Sequence, residues 1–142
     1  MRYFFPVAVI AALFSLVGCI NNDPKPNAAA EVPTDSVNFT TIEWLDSTKD
    51  FGKITEGEKL PVTFHFRNSG AKPLVIREAH ASCGCTVVDK PERPFPPGAS
   101  GEIKAIYNSE GHVGTQEKTI TVSSNTMDLK ILKFTLEVVK KP

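Results

Sequence analysis

From Phe39 onward the chain alternates apolar and polar residues with a period of two, the repeat of a strand with one buried face. Val62, Phe64 and Phe66 alternate with Thr63, His65 and Arg67. Ile103, Ala105 and Tyr107 alternate with Glu102, Lys104 and Ile106, and Ile120 and Val122 with Thr119, Thr121 and Ser123. Leu132, Phe134, Leu136 and Val138 alternate with Lys133, Thr135, Glu137 and Val139. Shorter segments begin at Ile42 and Asp50. Another begins at Leu74-Val75-Ile76, runs into the stretch Ala81-Ser82-Cys83-Gly84-Cys85-Thr86 and continues to Val88. Turn residues separate them at Glu56-Gly57-Glu58, Asn68-Ser69-Gly70, the proline-rich Pro91–Gly98 loop, and Gly111 to Gly114. No segment carries a helical period. The pattern predicts about seven short antiparallel strands over residues 39–142, an all-β sandwich of immunoglobulin-like size, with an open barrel as the structural alternative. The expected inward face is Val62, Phe64, Phe66, Ile76, Ile103, Ala105, Tyr107, Ile120, Val122, Leu132, Phe134, Leu136 and Val138.

Composition narrows the function classes. At 142 residues the chain holds one ordinary domain and a short appendage. Sixteen basic and sixteen acidic residues cancel and are mixed in sign along the chain. No basic field gathers phosphates, which argues against nucleic acid as a partner. Eleven prolines, mostly in the linker and between periodic segments, disfavour a helical protein.

The first eighteen residues read differently. Arg2 is followed by an apolar run from Tyr3 to Val17, too short for a comfortable membrane span and suited to a signal-peptide core. It ends in Leu16-Val17-Gly18-Cys19, which resembles the lipobox of bacterial lipoproteins. The resemblance implies cleavage after Gly18 and acylation of Cys19, giving a stable membrane anchor where a single acyl chain would bind only marginally. An ordinary secretory signal with an incidental cysteine is the alternative. Ile20 follows the cysteine, not an acidic residue, and points to an outer-membrane lipoprotein facing the periplasm or the outside. Residues 19–38 form the lipidated cysteine and a flexible Asn-, Pro- and Ala-rich linker. Its eighteen residues from Ile20 to Val37 reach at most about 60 Å.

Side-chain chemistry concentrates at Cys83 and Cys85, with His80 just before them. Three readings are open. A disulfide is available outside the cytoplasm, although residues two apart on an extended strand lie nearly ~7 Å apart, so a kink at Gly84 would be needed. The pair can be buried packing residues on one face of a strand. Or two thiolates and His80 can hold a soft metal, copper or zinc. Parity opposes the last, because a regular strand sends His80 to the other face, and His65, His112 and Met127 are the only further ligand types. No Gly-x-Ser-x-Gly turn, phosphate-cradling glycine loop or His-Glu-x-x-His occurs. A Cys–His nucleophile would lack an orienting group. The chain reads as no enzyme.

In order along the chain stand Asp50-Phe51-Gly52, Phe64-His65-Phe66-Arg67-Asn68-Ser69-Gly70, Pro73-Leu74-Val75-Ile76 and Ser82-Cys83-Gly84-Cys85-Thr86. Pro97-Gly98-Ala99-Ser100-Gly101, Gly114 and Thr119–Asn125 follow. This series resembles the bacterial domain of unknown function 1573 family, common among Bacteroidetes-type lipoproteins, over about residues 45–140. The resemblance implies an immunoglobulin-like sandwich and no assigned activity. The expected role is a lipid-anchored, non-catalytic protein-binding or structural module of the cell envelope. Its expected partners are the membrane and another envelope protein. Thiol redox or copper/zinc handling at Cys83 and Cys85 is the alternative.

Overall fold

The computed structural model describes residues 38–142, and β-strands are the regular secondary structure found there. The expected signal peptide (1–18), Cys19 and the linker up to residue 37 lie outside the described residues. Eight strands follow one another: β1 (Ile42–Trp44), β2 (Thr48–Thr55), β3 (Lys59–Asn68), β4 (Ile76–Ala81), β5 (Thr86–Asp89), β6 (Ser100–Asn108), β7 (Gly114–Ser124) and β8 (Lys130–Val139). They build two four-stranded sheets, in the orders β1-β3-β6-β5 and β2-β8-β7-β4. The sandwich predicted from the period-two pattern is the fold.

Two details correct the sequence reading. The sandwich is not wholly antiparallel, because β2 runs parallel to β8, with Thr48 opposite Lys133 and Thr55 opposite Val139. The segment from Leu74 to Val88, expected as one strand, is also divided, into β4 and β5 in different sheets, which adds an eighth strand to the expected seven. At the start of the domain β1 pairs with β3, and β2 joins the other sheet after the crossing at Leu45-Asp46-Ser47.

The crossing is pinned by Asp46. Its carboxylate accepts the backbone N–H of His65 at 2.7 Å and lies 3.0 Å from both His65 Nδ1 and Lys49 Nζ. Burial pushes this carboxyl up. The hydrogen bonds from His65 and Lys49 outweigh that and hold it below its ordinary value. Within β2, Gly52 takes a left-handed φ of 65° and donates its N–H to Asp50 Oδ1 at 3.0 Å. The register against β8 slips there, which turns Ile54 into the core.

Every residue expected on the inward face is buried, and Ile54 and Leu74 join them. Phe64, Phe66 and Phe134 are fully enclosed, so truncating one to Ala should cost about 3–5 kcal/mol. Phe95, from the proline-rich loop, stands edge-on to Phe66 at 5.0 Å and forms a bridge to Leu74. Tyr107 is fully enclosed, and its hydroxyl has no hydrogen-bond partner among the described residues. Burial raises its phenol above the ordinary value.

Two enclosed asparagines tie the end of the sandwich where the domain begins. Asn68 donates to the carbonyls of Lys72 and Phe95, both at 2.8 Å. Its Oδ1 accepts from the Thr40 hydroxyl and the Gly70 N–H, both at 3.1 Å. Asn125 donates to the carbonyls of Asn38 (2.8 Å) and Pro73 (2.9 Å) and accepts from the Val75 N–H (2.8 Å). Side-chain amides thus replace a strand ladder where the chain enters the sandwich, leaving these buried backbone groups satisfied.

Candidate functional site

Two places carry the chemistry. The first is the cysteine stretch. It does not continue a strand, as the alternation suggests; Ser82–Cys85 is a turn that carries the chain from β4 in one sheet to β5 in the other. The Thr86 N–H donates to the Cys83 carbonyl at 3.3 Å, closing the turn around Gly84 and Cys85. Each end is tied to its own sheet. The Ser82 N–H donates to the Thr119 carbonyl at 2.9 Å, and the Ser82 hydroxyl accepts the Thr119 N–H at 3.1 Å. On the other side the Asn108 N–H donates to the Cys85 carbonyl at 2.8 Å.

This turn brings the Cα atoms of Cys83 and Cys85 to 5.3 Å, and their sulfurs are joined as a disulfide. The separation sits comfortably inside the range that a bridge tolerates, where an extended strand would sit at its edge. The bend is spread over the whole turn: Gly84 is outside the left-handed region, and a Cβ placed on it would meet nothing within 4 Å. Both cysteines are half-buried, and Cys85 is the one packed against the core. The hydroxyl of buried Thr86 lies 3.8 Å from Cys83 Sγ and 4.0 Å from Cys85 Sγ. Closing three residues removes little chain entropy, about 1.6 kcal/mol by the loop-closure relation.

His80 does not join the pair. Its side chain is 72% exposed on β4 and lies 3.3 Å from the Glu78 carboxylate. Among the described residues no group of three His, Cys, Asp or Glu side chains is placed to hold a metal. His65 is bound to Asp46, and His112 Nδ1 lies 2.7 Å from the Glu110 carbonyl in its loop. Cys19 lies outside the described residues.

The second place is a cleft of about 670 Å³ that sequence reasoning missed. One wall is Phe39–Ile42 and Trp44; the other is the β7–β8 turn, Thr126–Lys130. It exists because the first strand leaves one sheet for the other. β2 covers β8 only from Lys133 onward, so among the described residues Lys130–Leu132 have no strand beside them on that flank. Thr41 and Leu45 bond toward β3, so the alternation of an antiparallel ladder turns the N–H and C=O of Ile42 and Trp44 outward. Around this free edge Met127 is 88% exposed and Leu129 68%, with Phe39 also open to solvent.

These features define a class, an all-β sandwich of the immunoglobulin-like and PapD-like kind. A protein of unknown function from Porphyromonas gingivalis W83 is similar over 70% of this chain and 47% of its own, with a TM-score of 0.61 and 20% identity. The chain therefore spans about half the length of that relative. The ASH/PapD-like domain 7 of human CEP192 is similar over 73% of this chain and 89% of its own, with a TM-score of 0.57 and 9% identity. The Escherichia coli chaperone DraB is similar over 70% and 55%, with a TM-score of 0.51 and 13% identity. No curated protein matches the chain. The chain belongs to the family described as protein of unknown function (DUF1573), which matches residues 42–138. That family indicates no catalytic class.

Proposed function

We propose that this protein is a lipid-anchored, non-catalytic binding module of the bacterial envelope, and that its cleft takes an extended, apolar segment of another envelope protein. The observation that carries the reading is the pairing of a free strand edge with apolar walls at one place. Ile42 and Trp44 turn backbone donors and acceptors outward, and Met127, Leu129 and Phe39 surround them. An added strand would gain main-chain hydrogen bonds from β1 and bury alternate side chains against the β7–β8 turn. Native proteins blunt unused edges with very short strands, lysine or proline. This edge is short and Lys130 stands in the cleft wall, yet exposed apolar Met127, Leu129 and Phe39 flank it. The same fold serves as a chaperone in DraB, a likeness of fold alone.

The anchor rests on Leu16-Val17-Gly18-Cys19. With residues 1–18 removed and Cys19 acylated, the 19–38 linker would hold the domain of residues 39–142 at the outer membrane. A fatty-acid analogue fed to cells should label the wild-type chain and leave Cys19→Ser unlabelled; a mature chain free of acyl mass would refute the anchor. The cleft is tested by a photoreactive side chain at Met127 in the native envelope. It should yield one discrete adduct that disappears with Leu129→Asp while the β spectrum is unchanged. An adduct no stronger than from a control probe at exposed Glu92, or one indifferent to Leu129→Asp, would refute binding there.

A further inference from the structure

We propose that the Cys83–Cys85 bridge is a thiol–disulfide exchange site that accepts electrons from a dithiol, an activity separate from binding at the cleft. The bridge does little that a structural disulfide does. It spans three residues, so it constrains the unfolded chain weakly. It ties together no distant segments, and the turn that contains it is already closed by the bond from Thr86 N–H to the Cys83 carbonyl. Each end is held to its sheet through Ser82, Thr119 and Asn108, with no sulfur involved. Opening the bridge therefore leaves the fold intact and the two thiols poised to close again.

The approach is open. Gly84 is exposed, and the space a Cβ would occupy there is empty, so a partner can reach the turn from outside. Cys83 is the sulfur to attack, because Cys85 packs against the core. A partner thiolate attacks Cys83 Sγ; the Cys83–Cys85 bond breaks and its electron pair leaves on Cys85 Sγ. The partner's second thiolate then attacks its own sulfur in the mixed disulfide and releases Cys83. The partner dithiol is oxidised to a disulfide, and Cys83 and Cys85 take its two electrons and two protons. Thr86 is a positioning residue: its hydroxyl reaches both sulfurs and can donate to whichever becomes a thiolate.

The test uses the full mature chain in detergent and follows the peptide bearing Cys83 and Cys85 by alkylation and mass, beside far-ultraviolet circular dichroism. Low-millimolar dithiothreitol should reduce the bridge under native conditions with the β spectrum unchanged, and glutathione disulfide should restore it. Single variants separate the sulfurs: the Cys83 thiol left in Cys85→Ser should react with a small aromatic disulfide about tenfold faster than the Cys85 thiol left in Cys83→Ser, since thiol attack follows access. Thr86→Val should slow reduction several-fold, and Thr86→Ser should restore it. A bridge that resists the dithiol until the domain unfolds, or a β spectrum lost on reduction, would overturn the proposal. So would equal reactivity of the two thiols. None of these results bears on adduct formation at Met127.

Discussion

Asn68 is the side chain on which the entrance to the sandwich depends, and replacing it separates hydrogen bonding from simple packing. It is fully enclosed and makes four bonds, to Thr40, Gly70, Lys72 and Phe95. Each is worth about 1 kcal/mol net. Its partners keep some cover. The Phe95 carbonyl also accepts from the Leu74 N–H, the Gly70 N–H also reaches the Thr41 carbonyl, and the Thr40 hydroxyl also donates to Lys72. Asn68→Ala should therefore cost the bonds without orphaning their partners, about 4 kcal/mol. For a domain of this size that lowers Tm by roughly 16–32 °C. Asn68→Asp keeps the shape but sets an oxygen against the two carbonyls 2.8 Å away. At pH 7 it should cost at least about 1 kcal/mol more than Asn68→Ala, because a buried carboxylate faces lone pairs. That environment lifts the new carboxyl's folded pKa above its unfolded value of about 3.9, so the folded state binds the extra proton. The variant's stability then falls as pH rises past about 4 and recovers between pH 7 and 5. Urea unfolding followed by circular dichroism at both pH values measures all of this. An Asn68→Ala variant within about 0.5 kcal/mol of wild type, or an Asp variant no worse than Ala at pH 7, would refute the reasoning.

Tyr107→Phe removes a buried hydroxyl that has no partner among the described residues, and should raise stability by about 1 kcal/mol in the same assay; a loss of stability would show that the hydroxyl is satisfied. Gly101→Ala would place a Cβ against Phe95 and 2.6 Å from Phe66 Cζ, and should cost about 1–3 kcal/mol, whereas Gly84→Ala, which meets nothing, should be neutral or mildly stabilising. Equal effects at the two glycines would contradict the packing described. Asp46→Asn should cost about 1–2 kcal/mol at pH 7. Because the Asp46 carboxyl sits below its ordinary value when folded, that contribution is complete above the unfolded pKa and drains away as pH falls through the folded one. The gap between wild type and variant should therefore close in acid, and a gap that widens there would be the wrong sign.

The inward face was legible because β3, β6, β7 and β8 obey a two-residue period with few breaks, and every residue placed there on that basis is in the core. Ile54 escaped because the slip at Gly52 reverses parity within one strand. Local pattern also cannot say which strands pair, so the parallel neighbours β2 and β8 were invisible. The cysteine stretch misled for a related reason: alternation runs on through Ala79, Ala81, Cys83 and Cys85, yet the chain must leave one sheet for the other there. Asn68 carried a correct turn signal, but the same residue is also a buried clamp, and composition alone cannot separate the two. The cleft lies between segments far apart in sequence, which no local pattern can bring together.

Amide hydrogen exchange at Ile42 and Trp44 tests the binding role most directly. In the free protein these outward N–H groups of β1 should exchange quickly, while inward-bonded Glu43 and Leu45 are protected. With the partner captured at Met127 bound, Ile42 and Trp44 should become protected as a strand is added along them. Unchanged exchange at these two amides, with new protection on another strand edge such as β5, would contradict the assignment.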